Sequence, residues 1–218
     1  MVDLYCERTG PDLWAEPVNA LTNLAFFTAA WATWLLLNRA VERPPGLVVL
    51  TALLATIGVG SLMFHTSATT WARILDVAPI LVFQLTFFWL YLREIVGARA
   101  VISALAVGAL LIAALVGRQF SDLLNGSVTY LPAFLVLFGL GLYHWATRKH
   151  QPTVLLLASS VFAASLFFRA FDQAFCPFVP VGTHFLWHLL NALVLYLAVR
   201  ALAANWPMVT RNLGLAAH

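Results

Sequence analysis

The sequence predicts an all-α integral membrane protein: a bundle of seven transmembrane helices with the N-terminus outside and the C-terminus in the cytoplasm. Three observations carry that prediction. Of the 218 residues, 62% are hydrophobic and only 10% charged, against roughly 45–50% and about 25% in a soluble domain. The mean hydropathy is +0.88, and the apolar residues gather into stretches near the ~20 residues that cross a bilayer. The basic residues are divided unequally between two sets of loops. Such a chain cannot cover itself with polar surface in water. That excludes an ordinary soluble globule, a disordered chain and a binder of nucleic acid. The net charge of +3 comes from 12 basic and 9 acidic residues, so it reflects scarcity of charge, not a basic surface. Length favours one domain over residues 1–218, with 1–17 as an acidic extramembrane N-terminal segment.

Each span is an apolar run bounded by charge. The first, Val18 to Leu37, lies between Glu16 and Arg39. The second, Gly46 to His65, follows Arg43, and the third, Trp71 to Leu92, stops before Arg93. The fourth, Val101 to Val116, lies between Arg99 and Arg118; the fifth, Val128 to Ala146, between Asp122 and Arg148. The sixth, Thr153 to Phe168, precedes Arg169, and the seventh, Gly182 to Ala203, follows Asp172. The fourth and sixth are shortest and need flanking residues to cross. No repeat or low-complexity segment stands out. The first sixteen residues lack the basic start and apolar run of a signal peptide.

Seven spans put the two termini on opposite sides. One side then carries Arg8, Arg73, Arg118 and Arg169. The other carries Arg39, Arg43, Arg93, Arg99, Arg148, Lys149, Arg200 and Arg211, and should be cytoplasmic. Trp14 and Trp71 near one boundary, and Trp145 and Trp206 near the other, read as interface anchors. Lys149 is the only lysine. With abundant Ala, Leu and Val, this hints at a GC-rich bacterial genome, hence a bacterial plasma (inner) membrane.

An ionisable side chain inside a span is costly and is a functional candidate by default. Four qualify: His65 at the end of the second span, Asp76 in the third, and His184 and His188 in the seventh. Ser61 and His65 are four apart, so they share a helix face about 6 Å apart along the axis. His184 and His188 have the same spacing, which lets two imidazoles reach one metal. His65 supplies a third nitrogen, and three histidines with an open fourth position form a catalytic zinc arrangement. The alternating span directions bring all four ionisable groups to one depth, near the outer face. A lone histidine at a span end is more often an interfacial residue; three at one depth beside an Asp favour ligation. His144, His150 and His218 read as structural or terminal residues. Asn19, Asn23 and Asn191 read as interhelical hydrogen bonders.

The pattern Ser61-Leu-Met-Phe-His65, then Asp76, then His184-Phe-Leu-Trp-His188 resembles the alkaline ceramidase family. That family sits within a wider group of seven-span hydrolases that includes the adiponectin-receptor-like proteins. The runs Tyr5-Cys6-Glu7, Glu16-Pro-Val-Asn19, Thr22-Asn23-Leu24 and Phe171-Asp172 through Cys176 add to the resemblance, which spans nearly the whole chain. It implies a zinc-dependent amidase that cleaves ceramide-type N-acyl sphingoid lipids to a fatty acid and a sphingoid base, with the bilayer and its lipid as partners. Carried over, His65, His184 and His188 hold zinc, Asp76 deprotonates the attacking water, and Ser61 helps hold the oxyanion.

The resemblance also implies calcium at the acidic N-terminal segment. Glu7 and Glu16 match, but Leu4 and Thr9 stand where the family pattern has an Asp and an Asn. Asp3, Glu7, Asp12, Glu16 and Asn19 are the oxygen donors available; the alternative is a solvated acidic terminus. Cys6 and Cys176 are the only cysteines and fall on the outer side. The resemblance implies that they pair; two free thiols are the alternative.

The competing reading is a non-enzymatic seven-span receptor or metal-binding membrane protein. A retinal protein is disfavoured because the last span holds no lysine. A transporter would carry polar residues through both leaflets. A haem protein fits poorly with two histidines on one helix face. Oligomeric state is unreadable from sequence.

Overall fold

The computed structural model describes residues 2–39 and 42–206. Among them every regular element is helical. Helix α1 (Pro17–Thr22) and helix α2 (Leu24–Leu37) form one span bent at Asn23. Pro17 opens it at a position where its missing N–H costs nothing. Helix α3 (Pro45–Ser67) likewise opens on a proline and ends at Ala68, whose φ of 45° turns the chain sharply. Helix α4 (Thr70–Leu90) is capped by the Thr69 hydroxyl, which accepts from the Ala72 N–H. It continues through a π-helical turn, Tyr91–Val96, and stops at Gly97, where φ is 75°.

Helix α5 (Ala100–Arg118) leads through the 3₁₀ turns of Leu123–Tyr130, broken by a kink where Leu124, Asn125 and Gly126 take positive φ, into α6 (Leu131–Ala146). Helix α7 (Val154–Ala170), the one-turn α8 (Asp172–Phe175) and α9 (His184–Ala204) follow. Among the described residues, six helical segments are long and apolar enough to cross a membrane: 17–37, 45–67, 70–96, 100–118, 123–146 and 184–204. The predicted sixth span is the exception. Helix α7 has 17 residues, about 26 Å at 1.5 Å per residue, short of the ~30 Å hydrocarbon layer. The protein is a multi-pass membrane protein on these helices.

The spans close into a ring. Helix α2 packs on α3, α3 on α4, α4 on α5, α5 on α6, α6 on α7, α7 on α9, and α9 returns to α2 while also touching α3. Leu50, Leu54, Ile57, Leu155, Val199 and Leu202 are fully buried at the centre. Val101, Leu105, Ile112, Leu135 and Leu189 point outward from the bundle. An apolar exterior of this kind suits hydrocarbon, not water. Two glycines allow the closest approaches. A Cβ on Gly60 would lie 2.0 Å from the Leu75 carbonyl oxygen, so only glycine lets α4 ride this tightly on α3.

Trp14, Trp71 and Trp145 are exposed as expected of anchors, but Trp206 is not. It is buried, its ring edge lying with Leu90 over the bare face of Gly46. His144 is buried with both ring nitrogens used: Nε2 donates to the His150 carbonyl and Nδ1 accepts from the Tyr91 hydroxyl. Arg211 and His218 lie outside the described residues.

Candidate active site

The end of α3 and the start of α9 meet at one end of the bundle, where the N-terminal segment also folds back. His65, the third-last residue of α3, sits against His184 and His188 on the first turns of α9. One nitrogen from each ring lies within 4.8 Å of the other two. His65 Nε2, His184 Nδ1 and His188 Nε2 are all buried and without a hydrogen-bond partner. Three desolvated nitrogens turned toward one another would cost several kcal/mol if they stayed empty. They fit a metal ion, and an all-imidazole set fits zinc.

The remaining ring nitrogens explain why these rings face as they do. His65 Nδ1 is 2.5 Å from Glu16 Oε2. His188 Nδ1 pairs with the Thr22 hydroxyl at 2.9 Å. Such outer partners fix tautomer and orientation, leaving Nε2 as the free donor. The His184 ring stacks on Tyr5, with centroids 3.5 Å apart and planes at 14°. Burial pushes the Tyr5 phenol up, so it stays protonated. These supports were missed in the sequence, because Tyr5, Glu16 and Thr22 belong to a segment with no periodicity linking it to α3 or α9.

Asp76 lies one and a half turns into α4, beside His65, and the Ser61 hydroxyl donates to its carboxylate. The Gly60–Leu75 contact creates that pairing, since Ser61 and Asp76 are the next residues along each helix. Asp76 lines a cavity of about 280 Å³ at the same end of the bundle.

A second carboxylate organises the start of α9. Asp172 is fully buried. Its Oδ1 accepts from the backbone N–H of Thr183 at 2.6 Å and of His184 at 2.9 Å, and its Oδ2 accepts from the Cys6 N–H. An anion at a helix N-terminus is favoured by both the free N–H groups and the dipole. Gly182, at φ 66°, makes room: a Cβ there would sit 2.2 Å from Asp172 Oδ1. Cys6 and Cys176 are joined in a disulfide. The N-terminal segment is thus tied to the α8–α9 connection beside the three-histidine group.

Two of the expected calcium donors, Glu7 and Glu16, are turned to protein partners. Glu16 Oε1 pairs with Arg8 Nε, and Oε2 takes His65 Nδ1 and Asn19 Nδ2. Glu7 accepts from the N–H of Val18 at 2.6 Å and of Asn19 at 2.7 Å. Asp3 and Asp12 are exposed. Calcium wants six to eight open oxygens, whereas here N–H donors hold both buried carboxylates. Arg8 is itself buried, and its other nitrogens donate to the Gly10 and His65 carbonyls. A guanidinium thus stands among the acids where the resemblance implies calcium. Burial would raise the Glu16 carboxyl, but His65 and Arg8 outweigh it and hold it below the usual carboxylate range. Burial wins at Glu7, pushing its carboxyl up against the two backbone donors.

Fold and site together define a multi-pass helical membrane protein with a buried three-histidine group able to bind a metal ion. The chain belongs to the ceramidase family, whose model matches residues 5–205. No curated protein matches the chain. Membership supports ceramide hydrolysis, the cleavage of an amide bond in a membrane lipid.

Proposed function

We propose that the chain is a single-domain, zinc-dependent amide hydrolase that cleaves ceramide-type N-acyl sphingoid lipids to a fatty acid and a sphingoid base. The observation that carries this reading is the convergence of three unpartnered buried imidazole nitrogens next to Asp76. His65, His184 and His188 would hold the ion. Zinc bound there would polarise the amide carbonyl and make water nucleophilic near neutral pH.

The chain's own groups do the rest. Asp76 takes a proton from the attacking water and passes it to the leaving amine nitrogen. Ser61 donates to Asp76 at rest; once Asp76 is protonated, that hydroxyl is free to donate to the oxyanion. Glu16 and Thr22 keep the His65 and His188 rings aimed. An apolar slot of about 50 Å³ among Phe26, Phe83, Phe87, Trp187 and Asn191 lies deeper in the bundle and would admit part of an acyl chain.

In this reading, seven spans cross a bacterial plasma membrane with the active site near the outer face. Helix α7 would complete its crossing with flanking residues or local thinning. The Cys6–Cys176 disulfide supports that orientation, because disulfides persist in oxidising compartments. The test is product formation from N-acyl sphingoid lipids by purified protein, read by mass spectrometry with His188→Ala as control. Release of sphingoid base by wild type alone is expected. No release by protein that still holds zinc would overturn the assignment.

A further inference from the structure

The cavity beside Asp76 has an unusual charge. Its wall carries three guanidinium groups, Arg73, Arg118 and Arg169, against a single carboxylate, Asp76. None of the three arginines is in an ion pair; both ion pairs among the described residues belong to Glu16. Arg73 and Arg118 are exposed at the rim, where an arginine could simply reach toward lipid phosphates. Arg169 cannot be read that way. Its guanidinium is turned inward over the rings of Trp187, Tyr130 and Tyr5, at 5.0, 5.4 and 5.6 Å. One nitrogen donates to the Tyr5 hydroxyl at 2.6 Å, and Nε is buried without a partner.

Aromatic faces stabilise a cation without consuming its in-plane donors. Arg169 is therefore a charged, planar donor set held against aromatic faces on the cavity wall, with a hydrogen bond still to make at Nε. That is how a protein prepares for an oxyanion ligand. The cavity also opens at the correct end. Thr70 and Arg73 begin α4, Arg118 ends α5, and Asn125 and Gly126 lie in the tight turn before α6. A lipid whose amide reaches Asp76 and whose acyl chain enters the deeper slot leaves its polar head here.

We propose that this cavity is an anion-binding headgroup pocket centred on Arg169, and that the lipid amide it serves carries a phosphate, sulfonate or carboxylate on its head. The inference rests on the hydrolase reading above and narrows its substrate class. Two measurements test it separately from that reading. The first compares kcat/KM for ceramide and ceramide 1-phosphate of one acyl chain, in neutral detergent micelles. The phosphorylated lipid is expected to be cleaved at least tenfold more efficiently. Arg118→Gln at the rim and Arg169→Lys inside should each shrink that ratio at least fivefold. Equal efficiencies, or a ratio that neither variant moves, would overturn the proposal.

The second measurement needs no turnover. Dodecyl phosphate should bind the zinc-loaded protein at least tenfold more tightly than dodecanol, with both variants losing the difference. If no lipid is hydrolysed but this preference holds, the hydrolase reading fails and the anion pocket stands. If dodecyl phosphate binds no better than dodecanol, the pocket fails whatever the enzyme does. Binding of dodecanoate alone would make the cavity a site for the released fatty acid and would equally sink the headgroup assignment.

Discussion

Glu16 and His65 are 49 residues apart in the chain, yet Glu16 Oε2 lies 2.5 Å from His65 Nδ1 in a fully buried pair. The carboxylate's other oxygen holds Arg8, whose guanidinium also binds the His65 carbonyl. The N-terminal segment therefore grips one imidazole at both its ring and its backbone. Glu16→Gln should weaken zinc retention about 10–100-fold, the usual cost of losing such a partner. Zinc content after dialysis against a graded chelator would measure it, and unchanged retention would detach Glu16 from the metal group.

The three histidines and Asp76 should separate cleanly by assay. His65→Ala, His184→Ala and His188→Ala should each lose bound zinc. Asp76→Asn should keep zinc and lose about 10²–10⁴-fold in turnover, the range of a proton-transfer residue. Full zinc occupancy in all three alanine variants would refute the ligand set, and normal turnover in Asp76→Asn would remove its proposed role.

Calcium should be irrelevant to this chain. Arg8 is a cation that cannot be dialysed away, so neither a calcium chelator nor added calcium should move the melting temperature of the wild type. Arg8→Gln should lower it, because Glu16 is then buried with only His65 and Asn19 to offset its charge; breaking one partner of a buried pair costs about 3–5 kcal/mol. A calcium-dependent rise in the wild-type melting temperature would contradict this account.

Gly60→Ala should move Asp76 without touching its chemistry. The new methyl meets backbone, not a flexible side chain, so α3 and α4 must part. Overpacking of this kind costs about 1–3 kcal/mol. Lower turnover at a given zinc occupancy is the expected signature. Wild-type stability and rate would show that the helix contact is softer than the geometry implies.

How much of this was legible beforehand differs by type of interaction. The long apolar runs announced the helices, since a bilayer demands length and hydropathy that sequence displays directly. The four-residue step from His184 to His188 put two imidazoles on one face. What sequence could not carry was the contact between segments. The resemblance marked Glu16 only as an oxygen donor; that it accepts from Arg8, Asn19 and His65 is a contact between segments. Trp206 looked like an interface anchor because indoles often are, but it is packed inward beside Leu90 over Gly46. Arg169 read as an orientation marker on charge count alone. Its three aromatic neighbours come from the N-terminal segment, the 3₁₀ turn and α9.

The disulfide joins residues 170 positions apart. Nearly the entire bundle is therefore a covalent macrocycle. A protease that nicks any connection between Cys6 and Cys176 opens the circle but releases nothing. On a gel without reductant, the nicked protein should migrate as one chain and fall into two pieces only when a thiol is added. The same closure allows the backbone to be cut deliberately within that circle while His65, His184 and His188 stay covalently linked.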